Sequence, residues 1–391
     1  MFYSIFNISP SVLIILSFFS ALLISYFSVP PIVKLAKATK VKGLRDLPSG
    51  RTSHTNATPT LGGIAIFAGF VFPALLFSSY YETMHGLRFI TAGCLLVFFF
   101  GLKDDIFTIS VYSKLLAQIM SAIILIGFAD IRFTNLHGFL GIYGINDYCS
   151  IILTIFVVVV IINAFNLIDG IDGLASAIGI ICAFSFGVWF YLSKQYQYAI
   201  FSFALIGALF GFIRFNLFGK SFKIFMGDTG SLLIGFIIAV LVIRFNEANI
   251  SISGLYKINS IFGILMIPLK IDSIPAVSIG ILMIPLYDML RVFIVRIARK
   301  QSPFKADRGH IHHKLIDLGY SHPKATLILV AANIIFICIA FSLQHIGILW
   351  LTLTLLILGT IAFYVPIRMI HRRDKRILIS EKKSDHPVTS F

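Results

Sequence analysis

Residues 226–245 read MGDTGSLLIGFIIAVLVIRF, a polar knot followed by an unbroken apolar run. About 20 apolar residues at 1.5 Å rise cross the hydrocarbon of a bilayer, so the run reads as a transmembrane helix with a carboxylate at its mouth. The whole chain repeats that design. It has 391 residues, is 58% hydrophobic and only 13% charged, where soluble chains average about 25% charged. Its mean hydropathy of +0.93 excludes an ordinary soluble domain.

Hydropathy predicts about eleven spans, near 11–30, 61–80, 88–102, 113–130, 151–165, 174–193, 197–214, 229–245, 274–296, 324–344 and 346–367. The segment from Val12 to Val29 has no cleavage-like small-residue site after it and reads as an anchor, not a signal peptide. The expected architecture is an all-α integral membrane protein. Residues 1–367 form one polytopic domain with its motifs in 51–314, and 368–391 form a basic tail.

The net charge of +15 raises the question of nucleic acid. The basic residues, however, sit in loops beside the spans and in the tail. Lys34, Lys37, Lys40, Lys42, Arg45, Lys103, Lys114, Arg214, Lys220 and Lys223 all fall on one side. Positive-inside bias explains this pattern, places the N-terminus outside and the tail in the cytoplasm, and leaves no call for nucleic acid. Anionic headgroups give the basic loops a further purpose. Cys94, Cys149, Cys182 and Cys338 show no paired spacing, and three lie in apolar runs, so neither disulfides nor a zinc site is expected.

Five polar clusters then share the cytoplasmic side: Arg51 to His54 with Pro59 to Gly63; Lys103-Asp104-Asp105; Asn163 to Gly173; Met226 to Ser231; and Asp307 to His313. Two adjacent aspartates at the end of an apolar run need water or a cation. Asn163, Asn166, Asp169 and Asp172 recur every third residue, which puts oxygen-bearing side chains on one rim. Gly170 and Gly173 favour opening the helix there. Such a rim suits a hard cation or a sugar–nucleotide, although a polar turn between spans is the plain alternative.

Asp228 or Thr229 could simply cap the helix that follows. The glycines and carboxylate there also suit a Mg²⁺–phosphate pair, with Asn216, Lys220, Lys223 and Phe225 just upstream. His310, His312 and His313 follow Arg308. They lack a carboxylate or cysteine at zinc spacing, and bind a diphosphate more readily through N–H donors. Arg51 and His54 read equally well as positive-inside residues. One oddity is that GILMIPL at 263–269 recurs at 280–286. The first copy falls in an outside segment, as an interfacial stretch, a re-entrant stretch or a duplication.

With these motifs, and over roughly residues 30–325, the chain resembles the polyprenyl-phosphate N-acetylhexosamine-1-phosphate transferases. These membrane enzymes start teichoic-acid, O-antigen (lipopolysaccharide) and related cell-envelope glycans. The His-Ile-His-His form at 310–313 is similar to the glycan-initiating branch, because the pentapeptide-transferring branch usually shows three consecutive histidines. The resemblance implies transfer of a sugar-1-phosphate, GlcNAc-1-phosphate first, from a UDP-sugar to undecaprenyl phosphate in the bacterial inner membrane, with release of UMP. A homodimer would be in keeping with relatives.

By the same resemblance Asp228 would bind Mg²⁺ (or Mn²⁺ in its place), with Asn166 as second ligand. Asp104 and Asp105 would face the lipid phosphate. Lys114, Asp169, Asp172, Asn216 and Phe225 would line the uridine diphosphate pocket, with Arg51, His54 and Asn163 also toward substrate. Arg308 and the histidines would hold the sugar and diphosphate. A phosphate monoester is mostly dianionic at pH 7, its second pKa being near about 6, so direct displacement is favoured over an aspartyl–phosphate route. Two rivals stand beside this reading: the phospho-MurNAc-pentapeptide transferase, and an ion-coupled transporter, which would place its acids mid-span.

Overall fold

The computed structural model describes residues 8–39, 45–46, 58–78, 86–251, 255–260, 263–268, 270–302 and 309–384. Thirteen helices account for most of them: α1 (Pro10–Ala38), α2 (Gly62–Ser78), α3 (Leu87–Phe107), α4 (Val111–Ala129), α5 (Asp147–Ile168), α6 (Leu174–Leu192), α7 (Tyr196–Phe218), α8 (Gly227–Ser251), α9 (Ile274–Ile281), α10 (Met283–Ala298), α11 (Ile311–Asp317), α12 (His322–Ser342) and α13 (Ile348–Ser384). Three antiparallel pairs complete it: β1 (Arg45–Asp46) with β2 (Thr58–Pro59), β3 (Asn135–Phe139) with β4 (Ile142–Gly144), and β5 (Leu255–Ser260) with β6 (Gly263–Pro268).

Eight helices are long and apolar enough to cross a membrane, or nine if the α9–α10 pair is one span. The expected eleven segments all reappear as helices, but two fall short of that test. α2 has 17 residues, and α3 carries Arg88, Lys103, Asp104 and Asp105 within its 21. The ninth expected span is broken. α9 and α10 meet at Leu282 with a bend of 83°. Pro285 near the start of α10 removes one backbone donor and crowds the preceding turn.

The repeated heptapeptide takes two forms. Residues 263–268 lie in β6, whereas 280–286 straddle the α9–α10 break. Identical residues adopt different backbones because surroundings override weak local preference.

α8 is the central pillar, buried along nearly its whole length, with α2, α3, α5 and α6 packed around it. Lipid-side helices such as α1, α12 and α13 expose large apolar side chains instead, Phe27, Leu327 and Trp350 among them. All four cysteines are free thiols. Because the helices alternate in direction, one end of the bundle gathers the C-termini of α3 and α5 with the N-termini of α4, α8 and α12. Asp130, Asp147 and Glu247 lie at the opposite end, paired with Arg132 and Thr134.

Candidate active site

The site is built on the first turn of α8. Gly227 opens it with φ +71°, a left-handed conformation that glycine adopts without strain. The 59–63 segment clamps this entry through the backbone. Phe225 N donates to Pro59 O (2.8 Å), Gly62 N to Phe225 O (2.9 Å) and Gly63 N to Met226 O (2.9 Å). The glycines of the first cluster are therefore scaffolding.

Four unpaired N–H groups begin any helix. Here Asp105, reaching across from the end of α3, takes two of them. Its Oδ1 accepts from Asp228 N (2.8 Å), and its Oδ2 accepts from Thr229 N (3.0 Å) and from the Thr229 hydroxyl. Both Asp105 oxygens are thus committed to capping α8. Asp104 differs: its Oδ1 accepts from Ile109 N (2.6 Å) and its Oδ2 pairs with Lys114.

Lys114 also pairs with Asp228, so one ammonium bridges two carboxylates. The other Asp228 oxygen accepts from Asn166 Nδ2 (3.0 Å), which also donates to Ser231 Oγ (3.0 Å). Asp104, Lys114, Asn166 and Asp228 thus form one connected group.

α5 ends at Ile168, so Asn163 and Asn166 are helical while Asp169 to Gly173 form the turn into α6. Asn163 faces away from Asp228, donating to Gln118 Oε1 (2.7 Å) and Val159 O (2.8 Å). Asn216 holds the turn, accepting from Gly173 N (2.6 Å) and donating to Ile224 O (2.9 Å). Asp172 is buried and pairs with Lys223 Nζ (2.7 Å) and His322 Nδ1 (3.2 Å). Burial alone would raise its carboxyl, but the hydrogen bonds from His322 and Lys223 hold it below the usual carboxylate range. Lys223 also lies 5.8 Å from the centre of the Phe225 ring.

Asp169 has no cation partner among the described residues. Burial, then the nearby charges of Asp228, Asp105 and Asp172, push its carboxyl well above the ordinary value. An acid crowded by three others is one that a positive charge would relieve. Among the described residues, no three His, Cys, Asp or Glu side chains form a ready-made metal cage. Mg²⁺ does not need one, since it typically takes one or two carboxylates and completes its shell with water and substrate phosphate. The Asp228 carboxylate and the Asn166 Oδ1, whose Nδ2 is already turned to Asp228 and Ser231, with unrelieved Asp169 nearby, make an oxygen donor set that fits that ion.

The histidines come from α11. His312 is 1% exposed, and a Cβ on Gly170 would run into its imidazole, so the close approach requires glycine there. His310 and His312 stack with centroids 5.7 Å apart, and His313 lies 4.2 Å from His312. His312 Nδ1 is buried without a hydrogen-bond partner. Burial first, then neighbouring His313, pushes the imidazole down to about 3, so it is neutral at pH 7. Arg51, His54 and Arg308 lie outside the described residues.

Sequence reasoning missed Asp288 and His322. Asp288 carried a signal, being an acid inside an apolar span. His322 carried none, because only the fold sets it beside Asp172.

Six helices from distant parts of the chain thus contribute to one end of the bundle, where Asp228 and Lys114 link three of the motifs. Undecaprenyl-phosphate alpha-N-acetylglucosaminyl 1-phosphate transferase of Yersinia pestis is 30% identical over 370 residues, covering 90% of this chain and 93% of that protein. A probable undecaprenyl-phosphate N-acetylglucosaminyl 1-phosphate transferase of Bacillus subtilis is 32% identical over 340 residues, 85% of this chain and 86% of its own length. The Escherichia coli K12 protein named as the Yersinia one is 31% identical over 331 residues, 83% of each chain. The sequence profile of glycosyl transferase family 4 matches residues 87–246, the stretch that supplies Asp104, Lys114, Asn166 and Asp228. Carrying this acid–amide–lysine group on a helical membrane scaffold shared at such length with these relatives, the chain belongs to glycosyl transferase family 4.

Proposed function

We propose that this protein transfers GlcNAc-1-phosphate from UDP-GlcNAc to undecaprenyl phosphate, releasing UMP, and so starts a cell-envelope glycan. The single observation that carries the reading is Asp228, held between Lys114 and Asn166 at the head of α8. The relatives' names supply the acceptor, undecaprenyl phosphate, and the group transferred, N-acetylglucosaminyl 1-phosphate; the UDP donor is part of the proposal.

In the reaction an anionic acceptor must approach an anionic diphosphate. Mg²⁺, held by Asp228 and Asn166, would neutralise part of that charge. The chain's own groups do the rest. Lys114 and the positive end of α8 draw phosphate toward Asp228. Asp104, beside Lys114, takes any residual proton of the acceptor. Asp172, held by Lys223 and His322, and the Phe225 ring receive the nucleoside. The histidines of α11 contact the diphosphate with neutral His312 packed behind them.

The acceptor's tail needs an apolar path. A cavity of about 330 Å³ lies beside the α9–α10 break, lined by Leu153, Val157, Ile161, Ile279, Leu286 and Ile348. Phe133, Phe139, Val242 and Asn246 also line it, so it opens toward the end of the bundle opposite Asp228. A tail whose phosphate lay at Asp228 would reach it only with its distal part.

The same reading places this end of the bundle at the cytoplasmic face of a bacterial inner membrane, with the chain crossing eleven times and the N-terminus outside. α2 is short and α3 acidic because their ends belong to the site. The acids cluster at helix ends, which disfavours a transporter.

Purified protein in lipid nanodiscs with Mg²⁺ and undecaprenyl phosphate tests the proposal. UMP should be released from UDP-GlcNAc and not from UDP-MurNAc-pentapeptide. Release from the pentapeptide donor alone, or from neither, would overturn it.

A further inference from the structure

Asp288 sits in the second turn of α10 and is 0% exposed. A lone carboxylate buried among apolar helices is costly unless its lone pairs are filled. Every one of its contacts concerns the start of α11. Oδ1 accepts from Ile311 N (3.0 Å) and from Arg291 Nη2 (3.0 Å), and Oδ2 lies 2.9 Å from His310 Nδ1. Arg291 also donates to Gly309 O.

α11 has only seven residues, and its N-cap, His310, makes no capping bond of its own. So short a helix does not hold itself. Asp288 supplies both the missing cap and the imidazole's partner. From there the contacts run on: His310 stacks on His312, and His312 presses against Gly170, next to Asp169.

We infer that Asp288 is a positioning residue that acts through His310. By engaging Nδ1–H it fixes the ring and leaves Nε2 as the nitrogen presented to the donor diphosphate. With Nδ1–H on Asp288, the protonated ring turns its Nε2–H to a phosphoryl oxygen. A histidine aligned in this way loses function when its carboxylate is replaced by an amide, because the ring is no longer held in that tautomer. The inference rests on the proposed role of the histidine loop.

Three variants test it in nanodiscs: D288N, H310A and the double mutant, read as kcat and KM for UDP-GlcNAc with melting temperature alongside. D288N should melt close to wild type and lose at least about tenfold in kcat. The double mutant should be no slower than H310A, because two residues acting as one unit are not additive. Independent losses that multiply, or wild-type kcat in D288N, would overturn the inference. Full turnover in H310A would also sink it, and the histidine role with it, while the UDP-GlcNAc specificity of the wild-type protein would stand. Histidine ¹⁵N NMR of the wild-type protein needs no variant to fold: the His310 ring should carry a proton on Nδ1, and a bare Nδ1 would refute the arrangement.

Discussion

Asn166 Nδ2 donates to Asp228 Oδ1 across 3.0 Å, tying the last turn of α5 to the first turn of α8. Lys114 meets the other oxygen of the same carboxylate. Asp228 is therefore oriented from both sides before any substrate arrives. Replacing it removes the group that both neighbours hold. Asp228→Ala should lower UMP release by at least about a hundredfold, and raising Mg²⁺ should not restore it. Substantial activity in the purified variant would remove Asp228 from the metal role.

Asp105 makes a different prediction from its neighbour, although the two are adjacent in sequence. Its carboxylate caps α8, so Asp105→Ala should destabilise the fold by about 1–2 kcal/mol, the usual value of a cap. Asp104→Ala should instead cut turnover while leaving thermal unfolding nearly unchanged. Equal melting temperatures for the two variants would contradict this division.

Gly170 is where the histidine helix touches the acid-bearing turn. An added methyl has nowhere to go, and overpacking of this kind typically costs about 1–3 kcal/mol. Gly170→Ala should displace His312, raise KM for the UDP-sugar and lower kcat. Steady-state kinetics with unchanged values would show that the contact is dispensable.

His312 gives a pH signature. Burial holds its folded value down to about 3, against about 6.5 in an unfolded chain. Between those limits the unfolded state binds the extra proton, so stability falls as pH drops from 6.5 toward 3. His312→Gln should flatten the decline of melting temperature over pH 4.5–6.5. An unchanged slope would mean that His312 is not the neutral ring described.

Much of the site was legible because membrane burial makes every polar residue conspicuous. Asp228, Asn166 and Asp169 stand out from apolar surroundings, and helix alternation alone brings their ends together. What could not be read is which oxygen meets which donor. Asp104 and Asp105 are indistinguishable as a pair, yet one turns to Lys114 and the other to the α8 backbone. Asn163 shares the three-residue spacing of Asn166, but its place on α5 turns it toward Gln118. The α9–α10 break was hidden because periodicity reports apolar faces, not hydrogen bonds lost at Pro285. The heptapeptide repeat shows the same limit, since one string of residues is strand in one place and a bent helix in the other.

The reach of α13 has a consequence of its own. Its 37 residues make a rod of about 55 Å, while the oily layer is only about 30 Å thick. More than a dozen residues must therefore stand clear of lipid, and Arg373 donates to the carbonyl of Asp317 at the foot of the histidine helix. α13 is thus a strut braced against the C-terminal end of α11, the helix that carries His312 and His313.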